Sequence, residues 1–256
     1  MRTRKTELVL ASVNALNRIE KSNIKGAFNN RNQEGISMPS QPALAAIPVQ
    51  RALFVIGSIG LAIGMVTILV PAWAYSSNHD FSLFTTYISD FGVASGWPQA
   101  IYTAGMLIAA PIRYLFLFLL LTQLVHLGAS HRFRSSMLVI GTFVLLGSIG
   151  TAAVPYSLHL PTHKASALLY FFGTVALQLS LVVQEWRLRL PALLPLSSIA
   201  VVAFYFVFAA LLALVGKVDG IDRATPVPWE WLCFVALMVW LGAHTAILGA
   251  SQRKQA

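Results

Sequence analysis

Apolar residues in this chain run on without alternating. Six stretches, at about 53–75, 101–126, 137–156, 165–184, 193–216 and 229–250, carry few charges. About 20 apolar residues in an α-helix cross a hydrocarbon core about 30 Å thick, so each run predicts one membrane-spanning helix. The continuity excludes a transmembrane barrel, whose strands alternate apolar and polar positions. The connections are short. The expectation is an all-α integral membrane protein, with a six-transmembrane-helix bundle over residues 51–252 behind a tail of residues 1–50. Composition agrees: 57% of residues are hydrophobic and 11% charged, with a mean hydropathy of +0.70. An average soluble domain is roughly 25% charged.

Residues 1–50 are Asn/Ser-rich and charged, and they end in Pro39, Pro42 and Pro48. Val9, Val13, Leu16 and Ile24 could form the apolar side of a helix from Thr6 to Ile24 lying on an anionic membrane surface. The composition otherwise reads as a basic, disordered tail. Glu7 and Glu20 interrupt the basic run and argue against a targeting peptide, and Met38 is an alternative start.

The net charge of +9 does not point to nucleic acid, because the basic residues lie in the tail and at the ends of the runs. Arg51, Arg132, Arg134, Arg187, Arg189, Arg253 and Lys254 fall on one side, which the positive-inside rule makes cytoplasmic. The opposite connections carry Lys164, Lys217 and Arg223 against Asp80, Asp90, Asp219, Asp222 and Glu230. Both termini are therefore expected in the cytoplasm, with the stretch YISDFG at residues 87–92 on the outer or lumenal side. Cys233 is the only cysteine, so no intramolecular disulfide or thiolate cluster can form.

Small residues mark the packing faces. Gly57, Gly60 and Gly64 in the first run, and Gly141, Gly147, Ser148 and Gly150 in the third, allow close helix contact. The fourth run carries a polar stripe of His163, Ser166, Tyr170, Thr174 and Gln178 at steps of three or four, which belongs against other helices or a polar cavity.

Arg113 is the sharpest chemical signal. It stands about 18 Å into the second run, where a lone arginine costs at least ~2.5–3.5 kcal/mol and calls for an interior partner. Pro111 should kink this helix and free a carbonyl for the guanidinium. Acids within consideration are Glu185, Glu230 and Asp90. YISDFG is expected to fold back into the outer mouth and bring Asp90 toward Arg113, Tyr102 and His163. The competing reading is that Asp90 caps a short helix.

The candidate ligand-binding set is Ser89, Asp90, Tyr102, His159, His163, Lys164, Glu230 and Trp231, with Arg113 beneath and Trp97 and Trp229 at the same level. A basic floor under an apolar wall suits the headgroup of an anionic or phosphate-bearing lipid. His163, with Asp90 or Glu230, is the catalytic candidate if a lipid hydroxyl or water is activated. His159 and His163 lie four apart, but Pro161 between them disfavours a zinc site, and no metal or cofactor is expected. A nucleotide-binding glycine loop, acidic residues within the spans and an inverted repeat are all missing, which weighs against a pump or transporter.

The order of "YISDFGVASGWPQAIYTAGMLI", an arginine in the second span, "PTHKASALLYFFG" and "PWEWLCF" resembles the six-span Frag/DRAM/Sfk family. That family includes the DRAM autophagy modulators, the Sfk proteins and the PGAP/Cwh proteins of GPI-lipid remodelling. The order is also similar to a prokaryotic six-span family of unknown function. The resemblance covers roughly 51–250 and falls on Ser89, Asp90, Gly92, Arg113, His163, Glu230 and Trp231. It implies a lipid-associated protein of the plasma membrane or endomembranes, or of a bacterial inner membrane. The expected function is non-enzymatic: binding a lipid headgroup in an outer-leaflet pocket and modulating lipid organisation, signalling or trafficking, with membrane lipids and membrane proteins as partners. The alternatives are a lipid-remodelling acyltransferase or hydrolase, and a small-solute transporter.

Overall fold

The computed structural model describes residues 49–77 and 80–250, and their regular structure is entirely helical. Six helices follow one another: α1 (Val49–Ser76), α2 (Trp97–His126), α3 (His131–Ala153), α4 (Leu160–Arg187), α5 (Leu193–Leu214) and α6 (Val227–Gly249). A 3-10 turn, Ile88–Gly92, lies between α1 and α2. All six helices are long and apolar enough to cross a membrane, which makes the chain an integral, multi-pass protein. The expectations for the tail, and for Arg253 and Lys254, fall outside the described residues.

Most helices begin a few residues before their apolar runs, because polar caps start them. Ser130 caps α3, its hydroxyl accepting the Phe133 N–H at 3.1 Å. His159 caps α4, its Nδ1 accepting the Thr162 N–H at 3.3 Å, with Pro161 in the first turn, where its missing N–H costs nothing. The third helix stops at Ala153, short of the expected 156, because Pro155 restricts Val154, which is extended (φ −122°, ψ 86°).

Each helix packs on its chain neighbours, α1 closes against α6, and α2 also touches α6 across the middle. Short connections make successive helices antiparallel, so the ring has two chemically different ends. The mouth end holds residues 77, 80–96, 154–159 and 215–226, together with the acids Asp80, Asp90, Asp219, Asp222 and Glu230. The far end holds Arg51, Arg132, Arg134, Arg187 and Arg189. Inside the ring, Phe116, Leu120, Leu121, Leu181 and Val201 are fully buried. Outside it, Phe54, Trp73, Phe143, Phe172 and Phe206 are exposed, an apolar coat suited to acyl chains rather than water.

Candidate functional site

Residues 80–96 fold back over the mouth of the ring. The 3-10 turn buries Ile88 and Phe91 and leaves Ser89 and Asp90 half-buried. Phe91 is packed edge-on by Tyr75 at 5.6 Å, Tyr102 at 6.2 Å and Trp231 at 6.1 Å. Such pairs add about 0.5–1.5 kcal/mol each beyond the area they bury. Hydrogen bonds then fix the turn to three different elements. The Ile88 N–H donates to Glu230 Oε2 at 2.6 Å, and Trp231 Nε1 donates to the Thr86 carbonyl at 3.0 Å. The Tyr87 hydroxyl donates to the Arg223 carbonyl at 2.7 Å, and Gln99 Nε2 donates to the Gly92 carbonyl at 3.0 Å. Asp90 also caps its own turn, Oδ2 accepting the Tyr87 N–H at 3.0 Å. The segment thus folds into the mouth, and Asp90 caps from within the turn rather than ahead of a helix that begins after it.

Its expected cation is a different one. Asp90 Oδ1 accepts from Arg223 Nη2 at 2.9 Å and from the Tyr156 hydroxyl at 3.1 Å. Arg113 lies eleven residues beyond Tyr102, about 16 Å deeper along α2, too far for the lid to reach. It donates instead to Ser148 Oγ on α3 at 2.9 Å, so its acceptor is not a carbonyl freed by Pro111. Glu185, the third acid considered for Arg113, belongs to His244 of α6, with 2.7 Å between Oε1 and Nε2.

Beneath the lid lies a cavity of about 480 Å³. Six of the expected residues share its wall: Ser89, Asp90, Tyr102, His163, Lys164 and Glu230, joined by Tyr156 and Arg223. Its deeper wall is apolar and aromatic, with Met106, Phe171, Phe208, Phe234 and Leu237. Three expected residues stand apart from it. His159 is exposed and engaged with Thr162. Trp231 packs behind the lid against Phe81 and Phe91. Arg113 lines a second, central cavity.

The charges in the cavity are unevenly satisfied. The Arg223–Asp90 pair is half outside, with Arg223 71% exposed and Asp90 13%. Lys164 is exposed at the rim and has no hydrogen-bond or ion-pair partner among the described residues, and Glu230 has no cation among them. His163 donates from Nδ1 to the Val154 carbonyl at 2.8 Å and packs against the Tyr156 ring, with no carboxylate behind it. Among the described residues no three His, Cys, Asp or Glu side chains converge as a metal would require.

Burial, and then the Glu230 charge, push the Tyr87 hydroxyl up from 10.0 to about 12. Burial and then Asp90 push Tyr156 up as well. A folded-state value above the unfolded one favours the neutral phenol in the folded lid. That stabilisation is complete below pH 10 and is lost as pH rises from 10 through about 12. Tyrosinate absorbance should show one tyrosine ionising near pH 12, missing from Tyr87→Phe. Loss of that tyrosine's absorbance near pH 10 instead would place Tyr87 in water.

Sequence reasoning missed Arg223, Tyr156 and His244 as partners. Arg223 carries one visible signal, an arginine next to Asp222 at the mouth end of the chain, which names no distant partner. Comparison with protein-family models, with curated proteins and with solved structures finds no match to this chain.

Proposed function

We propose that this protein is a non-enzymatic membrane protein that holds the headgroup of a phosphate-bearing amphiphile in the mouth cavity and thereby modulates lipid organisation or the membrane proteins that depend on it. The observation that carries the reading is the cavity itself: about 480 Å³, polar at its rim, where the exposed Lys164 has no protein partner among the described residues, and aromatic below. That volume is typical of small-ligand sites. A phosphate would satisfy Lys164 and compete for Arg223. Leu160 and Leu212 both line the cavity and are about half exposed on α4 and α5, which gives an amphiphile a lateral way in from the membrane. Trp73 and Trp97, 6.3 Å apart at the mouth end, suit a membrane interface. The basic far end favours a cytoplasmic placement for both termini, with the mouth outward. Membership of the Frag/DRAM/Sfk-type family fits this reading and rests on the motifs alone.

The enzymatic alternative has one supporting feature, a His163 ring with Nε2 uncommitted on the cavity wall. It lacks the carboxylate that would orient a base.

Native mass spectrometry with lipid identification tests the proposal. Wild type should retain a phosphate-bearing lipid, and folded Lys164→Ala should lose about 10- to 100-fold of its affinity, the value of one charge-assisted hydrogen bond. Equal retention by both, or none by either, overturns it.

A further inference from the structure

Arg113 sits in mid-span with a single neutral partner. The Ser148 hydroxyl accepts one of its five N–H donors at 2.9 Å, and among the described residues no carboxylate pairs with it. Leaving a guanidinium so placed without an anion is costly in hydrocarbon. Arg113, Ser148, Thr174 and Gln178 all line a central cavity of about 80 Å³ between α2, α3, α4 and α6. Thr174 and Gln178 are nearly completely buried, and Thr174 Oγ1 and Gln178 Oε1 have no partner. The other polar groups on the wall are taken: Tyr114 by Thr142, Tyr170 by Tyr205, and the Trp240 indole by Ser198. No acidic residue lines the cavity.

We infer that this central cavity is a binding site for a small inorganic anion of halide size, held as the counter-ion of Arg113. The uncommitted groups fit that assignment. The guanidinium keeps free N–H donors, the Ser148 and Thr174 hydroxyls can each donate, and a half-turn of the Gln178 carboxamide places its NH₂ where the orphaned oxygen stands. The remaining wall, including Phe116, Leu117, Leu177 and Leu241, is apolar, so the Coulomb attraction there is little screened. The cavity has room for a small ion with ordered water. Tyr170 and Leu237 line both this cavity and the mouth cavity, so the two adjoin.

The test uses the full-length protein in mild detergent at constant ionic strength, with gluconate exchanged for chloride or bromide. The apparent Tm should rise saturably by about 5 °C, as a ligand well above its Kd stabilises a protein of this size. Thr174→Val, which keeps the fold's apolar volume, should need about tenfold more halide for half the shift. Arg113→Gln should show no shift. If Arg113→Gln does not fold, the Thr174→Val midpoint decides alone. The inference is overturned by a wild type with the same Tm in gluconate and halide, by an unchanged midpoint in Thr174→Val, or by a shift with phosphate and none with halide. None of these outcomes touches lipid retention in the mouth, so the two proposals fail separately.

Discussion

His244→Ala is expected to lower the apparent Tm by roughly 6–20 °C, corresponding to about 3–5 kcal/mol for breaking a buried pair in a chain of this size. His244 and Glu185 are both fully buried, 2.7 Å apart. His244 Nδ1 donates to the Trp240 carbonyl at 2.8 Å, so one proton is left to bridge Nε2 and Oε1. Glu185 Oε2 has no partner even with the histidine present. Removing the imidazole therefore strands an entire carboxylate in an apolar interior. Removing the acid instead should cost less, because a neutral imidazole keeps its bond to Trp240 and its stacking on that ring at 4.7 Å. The double substitution Glu185→Leu/His244→Leu should recover most of the loss, since apolar residues of similar volume often replace a buried pair without penalty. α4 and α6 are not neighbours in the ring, so this pair ties the far end together across its middle. A scanning thermal melt of the three variants measures the asymmetry. A loss below about 1 kcal/mol for His244→Ala would mean that water already reaches the pair.

The helices were legible because six continuous apolar runs leave no other way to bury their backbone polar groups in lipid. Their starts were less so. HRFRSS and LPTHK read as polar connections, yet they form the first turns of α3 and α4, behind the caps Ser130 and His159. The folded-back lid was expected only because Arg113 called for an acid, and the segment folds back for another reason, burying Ile88 and Phe91. The partner of Asp90 was not legible. Arg223 lies 133 positions away in a connection whose course depends on where α5 ends, and spacing carries no information about that. Ser148 was read as one of a stripe of small packing residues. It does pack there, and the same position puts its hydroxyl within reach of Arg113, a double role that residue size alone does not reveal. His244 had no charged neighbours in sequence to mark it, because its partner comes from another helix.

Gly147→Ala should be the most damaging single-methyl insertion in the bundle. A Cβ there would meet the Tyr170 amide nitrogen at 2.5 Å, the Ser166 carbonyl oxygen at 2.8 Å and the Tyr170 Cα at 2.9 Å. All three are backbone atoms of α4, so no side-chain rotation relieves the clash, and the two helices must separate. Alanine is the better helix former by about 1 kcal/mol, which acts against the loss. Overpacking against rigid neighbours still wins, giving a net cost of about 2–3 kcal/mol and a fall in Tm of roughly 4–12 °C. Two other glycines calibrate the effect. At Gly64 the nearest atom is the Met238 sulfur at 2.9 Å, a flexible side chain that can move, so Gly64→Ala should cost under about 1 kcal/mol. At Gly242 the added methyl meets nothing, and Gly242→Ala should be neutral or stabilising by up to about 1 kcal/mol. Because α4 carries Tyr170, Thr174 and Gln178 on the central cavity and His163 and Lys164 on the mouth cavity, forcing it off α3 should weaken lipid retention and the halide shift together. If Gly147→Ala melts with Gly242→Ala, the two helices are not in backbone contact there, and the walls assigned to both cavities must be redrawn.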